Sequence, residues 1–148
     1  QATLDVNLTG TFLTFRQALR AHPTASRLIA IASTASLKGN ASVPAYTAAK
    51  HGVLGLVRSI ALDIAKKNGT CNAICPGFTD TNLAENAIKG LMQRFNMTRD
   101  LATAKLASGN PRGDLISPNE VAATALFLAS QGAAAINGHA LSVSGGEI

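Results

Sequence analysis

Arg27-Leu28-Ile29-Ala30-Ile31-Ala32-Ser33 is a run of five apolar residues between a cation and a hydroxyl. A run this short and unbroken predicts a strand buried on both faces, the kind found in parallel sheets. Parallel strands need long crossover connections, and the flanking sequence supplies them. Upstream, Leu4, Leu8, Phe12, Phe15 and Leu19 recur every three to four residues and predict an amphipathic helix over Thr3–Ala21, ended by His22-Pro23. Downstream, serines with Gly39, Asn40 and Pro44 mark a loop, after which Val53, Leu56, Val57, Ile60 and Ile64 carry a helical pattern through Ala45–Ala65 to a stop at Asn68-Gly69.

A second buried strand, Thr70–Ile74, leads into the turn Pro76-Gly77. Residues 78–110 are longer, more polar and more basic than the other connections, with weak helical patches at 83–92 and 101–106. A connection of that length predicts a lid or binding segment. Ser117-Pro118-Asn119-Glu120 reads as a helix start, with Ser117 as N-cap, Pro118 in the first position and Glu120 reaching back as in a capping box. Val121, Ala125 and Leu128 give that helix its packing face, and Ala140–Ser144 alternates like a last strand before Gly145-Gly146. Helix, strand, helix, strand, lid, helix, strand predicts an α/β fold with a three-layer, doubly wound parallel sheet, whose ligands sit beyond the carboxyl ends of the strands.

Composition narrows the function. With 148 residues, 47% hydrophobic and 14% charged, the chain is that of a globular domain. The net charge of +5 comes from basic residues scattered along the chain, not from a stripe, which argues against nucleic acid. No run approaches the ~20 apolar residues of a membrane span, and the first residues lack a basic leader or an apolar signal core, so a soluble cytoplasmic protein is expected. Cys71 and Cys75 lie on one predicted strand, roughly 13 Å apart at ~3.3 Å per residue, too far for a disulfide. With three dispersed histidines and no second cysteine pair, no metal site is expected.

Tyr46 and Lys50 stand four residues apart, which makes them neighbours on one helix face. An ammonium beside a phenol favours the phenolate, so Tyr46 is a candidate general acid/base. Ser33 closes the first strand and Pro76-Gly77 closes the second, so both fall at the sheet edge where such folds bind ligands. Asn7 lies one turn into the first helix and can approach from the side.

In these residues the chain resembles the short-chain dehydrogenase/reductase family. The motifs are Asn7 in Asn7-Leu8-Thr9-Gly10, Ser33, Tyr46 with Lys50, and Pro76-Gly77-Phe78-Thr79-Asp80-Thr81, with the serine 13 positions before the tyrosine (46 minus 33). The resemblance implies an oxidoreductase using NAD or NADP. Tyr46 would exchange a proton with the reacting oxygen, and Ser33 would hydrogen-bond that oxygen. Lys50 would hold the nicotinamide ribose, and Asn7 a relay water. Pro76 and Gly77 would let backbone approach the nicotinamide, with Thr79 and Thr81 near its carboxamide and phosphate. Asn7 has a competing reading as a residue bonded only to its own helix, and Thr79 and Thr81 as a helix cap. Related halohydrin dehalogenases carry arginine where this chain has Lys50, which argues against their reaction.

The resemblance further implies a small secondary alcohol or ketone as substrate, possible members being 3-hydroxyacyl, 3-oxoacyl and 3-hydroxybutyrate groups, and a homodimer or homotetramer built on the two long helices. The family's phosphate loop, Thr-Gly-x-x-x-Gly-x-Gly, is not among these residues. The expectation is therefore that residues 1–148 form the C-terminal part of a single Rossmann-like oxidoreductase domain, with 78–110 as its lid. The alternative is a truncated, non-catalytic fragment that persists through association.

Overall fold

A computed structural model describes all residues, 1–148. The first helix is one continuous rod made of α1 (Ala2–Leu4), a π-helical turn (Asp5–Thr9) and α2 (Gly10–Ala21). β1 (Arg27–Ile31) follows, then a short 3₁₀ turn (Thr34–Ser36) and the long helix α3 (Pro44–Ile64). β2 (Thr70–Pro76) leads to α4 (Asn82–Phe95) and α5 (Arg99–Ala107), and the chain closes with α6 (Pro118–Ala129) and β3 (Ala140–Val143). The three strands are parallel in the order β1-β2-β3, with Ile31 opposite Ile74 and Pro76 opposite Val143.

β2 is the centre of the molecule and is buried at all seven positions. Its alternating side chains feed two cores. Cys71, Ala73 and Cys75 pack with Val53, Leu54, Val57, Ala61 and Ile64 of α3. Ile74 faces the other way, onto Leu128 and Ala133 at the α6 side. Burial of each large aliphatic side chain here contributes ~1.5–3 kcal/mol. The layers are therefore α3 with the first helix, the sheet, and α6, as the alternation of elements predicts.

Two expectations are corrected. β1 is not buried on both faces: Leu28 and Ala30 point into the α3 core, but Ile31 is 53% exposed. β1 is the edge of the sheet among these residues, paired to β2 alone. The first helix is also not α-helical throughout. At Asp5–Thr9 it widens to a π turn in which the Gly10 N–H bonds the Asp5 carbonyl, an irregularity that leaves the apolar spacing almost unchanged and so does not register in the pattern.

The other punctuation behaves as its chemistry requires. Ser117 and Glu120 form the reciprocal capping box, with the Ser117 N–H donating to Glu120 Oε2 at 2.8 Å. α3 ends in a 3₁₀ turn whose left-handed residue is Asn68. Residues 78–110 are more regular than the weak patches suggest: Thr81 to Ala107 folds almost wholly into α4 and α5, which pack on each other. Cys71 and Cys75 are free and buried, as expected.

Candidate active site

Lys50 organises the site. Its residue is only 8% exposed, yet its Nζ donates to the Ile31 carbonyl at 3.0 Å, tying α3 to the end of β1 two residues before Ser33. Its Nζ also lies 5.6 Å from the centre of the Tyr46 ring. Burial holds the Lys50 ammonium below the ordinary lysine value, and charge interaction with Cys75 opposes that shift. Tyr46 sits in the first turn of α3, half-buried, where Pro44 sets the start of the helix.

Ser33 follows β1 in extended backbone, φ −171°, and caps the 3₁₀ turn by accepting a hydrogen bond from the Ala35 N–H at 3.1 Å. The Ala32 N–H still bonds Ile74, so Ser33 is placed by the sheet, not by a free loop. Cys75 joins these elements from β2. Burial pushes its thiol up, while the Ser33 backbone and the cations of Lys50 and Arg58 pull the other way. Ser33, Lys50 and the residue before Pro76 therefore meet at the carboxyl ends of β1 and β2, and Tyr46 joins them through its ring beside the Lys50 ammonium.

The turn after β2 is held by backbone. The Gly77 N–H donates to Val143 at 3.1 Å, and Ile116 pairs with Phe78 and Asp80 to form a small bridge beyond the sheet. The Thr79 hydroxyl donates to the Gly77 carbonyl at 3.1 Å and the Thr81 hydroxyl to the Thr79 carbonyl at 3.2 Å. Thr81 occupies the N-cap of α4 without a capping side-chain bond, so neither threonine acts as a helix cap. Asn7 lies in the π turn, half-buried, with its Nδ2 donating to the Thr3 carbonyl at 3.0 Å, and its own carbonyl accepts from the Thr11 hydroxyl at 2.8 Å.

Two contributors escape the sequence reading. Asn110, buried three residues past α5, binds the Arg112 N–H and the Asp114 carbonyl and lies against Gly145. Glu147, 2.8 Å from Lys38, packs over Gly77. The signal for the second is slight: one acid directly after a glycine pair at the end of the last strand. Its carboxylate lies close to Gly77, where a Cβ would stand 3.0 Å from Glu147 Oε2.

Comparison with known proteins places this arrangement. A family model described as enoyl-(acyl carrier protein) reductase matches residues 1–147. The chain belongs to the short-chain dehydrogenase/reductase family. Among its relatives, a D-beta-hydroxybutyrate dehydrogenase of Cupriavidus necator is 35% identical over 98% of this chain and 57% of its own length. A protein described as a putative ketoacyl reductase of Streptomyces coelicolor is 33% identical over 97% of this chain and 56% of its own. The crystal structure of an actinorhodin polyketide ketoreductase with NADPH superposes with a TM-score of 0.88 at 33% identity, covering 95% of this chain and 56% of that one. The chain thus spans about half the length of the relatives that it matches.

Proposed function

We propose that the protein carrying this chain is an NAD- or NADP-dependent oxidoreductase that interconverts a secondary alcohol and a ketone, with a 3-hydroxyacyl/3-oxoacyl or 3-hydroxybutyrate-like substrate. The observation that carries the reading is the buried Lys50, set beside the Tyr46 ring and bonded at 3.0 Å to the carbonyl of Ile31, two residues before Ser33. Such a cluster gives one substrate oxygen a proton donor, a second hydrogen bond and a nearby cation.

Tyr46 takes the hydroxyl proton when the alcohol is oxidised and returns it when the ketone is reduced. Ser33 donates a hydrogen bond to the same oxygen once its own acceptor role to Ala35 is met. Lys50 keeps a positive charge near the phenol, and Asn7 positions a water for proton exchange with solvent. A bound nicotinamide supplies or accepts the hydride. The residues present fit that group: Lys50 suits vicinal ribose hydroxyls, while the Thr79 and Thr81 hydroxyls, each donating to backbone, retain lone pairs for a carboxamide. Residues 78–110 serve as the substrate lid. The names of the two relatives support the 3-oxygenated acyl class.

A substrate panel on the complete gene product is the test, with both cofactors and absorbance of the reduced nicotinamide as readout. Turnover of 3-hydroxyacyl thioesters or 3-hydroxybutyrate is expected, and turnover confined to sugars or steroids rejects the substrate class. The helices α2 and α3 expose Phe12, Leu13 and Leu62, which supports a homodimer or homotetramer. Light scattering on the same preparation checks this, and a stable monomer contradicts it.

A further inference from the structure

Glu147 follows β3 after two glycines, and its N–H donates to the Ser144 carbonyl at 3.3 Å. Its side chain is 12% exposed, and its Oε1 lies 2.8 Å from the ammonium of Lys38, in the loop that begins at Ser33. The same carboxylate reaches two other segments. A Cβ at Gly77 would stand 3.0 Å from Oε2, and one at Gly109, just past α5, would stand 3.5 Å from the carboxyl carbon. Neither glycine has left-handed backbone, so at Gly77 the missing side chain answers to room for the carboxylate and not to a turn conformation. One charged group therefore pairs with Lys38 in the Ser33 loop and occupies the space beside Gly77 in the turn after β2 and beside Gly109 at the end of the lid.

We propose that Glu147 and Lys38 form a positioning clamp that holds the Gly77 turn and the return of the lid in fixed register with Ser33. The proposal rests on the oxidoreductase reading above, in which that turn faces the nicotinamide. Glu147 acts through the turn and contacts neither substrate nor cofactor. Only the fold can bring this about, since the two members of the pair come from distant parts of the chain and the glycine between them from a third.

The test uses the complete gene product and three variants: Lys38→Met, Glu147→Gln and the double. Affinity for NADH and NADPH is read by cofactor fluorescence, and hydrogen exchange is followed in peptides covering 76–81 and 107–112. Each single variant is expected to weaken cofactor binding roughly three- to ten-fold, as loss of a partly screened ion pair allows, with faster exchange in both peptides. The double variant is expected to be no worse than the poorer single one. A plain charge effect on a polyanionic dinucleotide would move the two single variants in opposite directions, and that result overturns the clamp. So do additive losses, or unchanged affinity and exchange. Should Glu147→Gln lower global stability, Lys38→Met, at a side chain 44% exposed, still breaks the pair and is read alone. A wild-type protein that binds neither dinucleotide removes the oxidoreductase reading and the clamp together. Binding with unaltered variants removes only the clamp.

Discussion

Lys50 holds a charge where little water reaches it, and its titration should therefore be visible in stability. Its pKa in the fold lies below the ordinary 10.5, chiefly through burial. The folded chain binds this proton less tightly than the unfolded chain, so the cost of burying it is fully present below the folded pKa and is relieved as pH rises toward 10.5. The free thiols work the other way, since burial pushes Cys71 up to about 12. Comparison with Lys50→Met removes most of that background. In urea unfolding from neutral pH to 10.5, wild type should gain stability relative to Lys50→Met; a flat difference would mean that the ammonium is not buried. The residues of this site were legible because their spacing is local: four positions for Tyr46 and Lys50, one strand end for Ser33. Glu147 was not, because its partners Lys38, Gly77 and Gly109 meet it only in three dimensions.

Among the elements, the capping box could be read directly as a local statement of its own structure, and the central strand was read over Thr70–Ile74 and runs two residues further, to Pro76. The π turn at Asn7 could not, because it changes hydrogen-bond partners without changing which residues are apolar. The segment 78–110 is the intermediate case. α4 and α5 are stabilised by an ion pair across their loop, in which Arg99 meets both Glu85 oxygens at 2.9 and 2.6 Å, and no helical periodicity reports such a pair. The Arg99 hydrogen bonds hold the Glu85 carboxyl down at about 2. A depressed acid contributes stability above its unfolded value of 4.5 and loses it as pH falls through the folded one. Hydrogen exchange within 96–107 should therefore accelerate as pH drops from 4.5 to about 2, beyond the intrinsic pH effect on exchange. Glu85→Gln should show this loosening already at neutral pH and no further step in that window. An identical pH response in the two proteins would assign the order of this segment to apolar packing alone. Because Arg99 is exposed and Glu85 only half-buried, the effect is expected to be local and reduced by salt.

At the scale of the molecule, the order of elements was enough to place the carboxyl ends of β1 and β2 beside the start of α3, and that placement is what gathers the site. The burial of β1 was less legible: its apolar run has the composition of a strand covered on both faces, while Ile31 stands 53% exposed. The account as a whole stands on Tyr46 as the group that moves the proton. The most direct measurement compares Tyr46→Phe with wild type in the complete gene product, on the best substrate of the panel, with cofactor affinity measured alongside. The prediction is a fall in kcat/KM of about 10²–10⁴-fold with cofactor binding and fold retained, the range expected for loss of a general acid/base. Activity within a few-fold of wild type would contradict it.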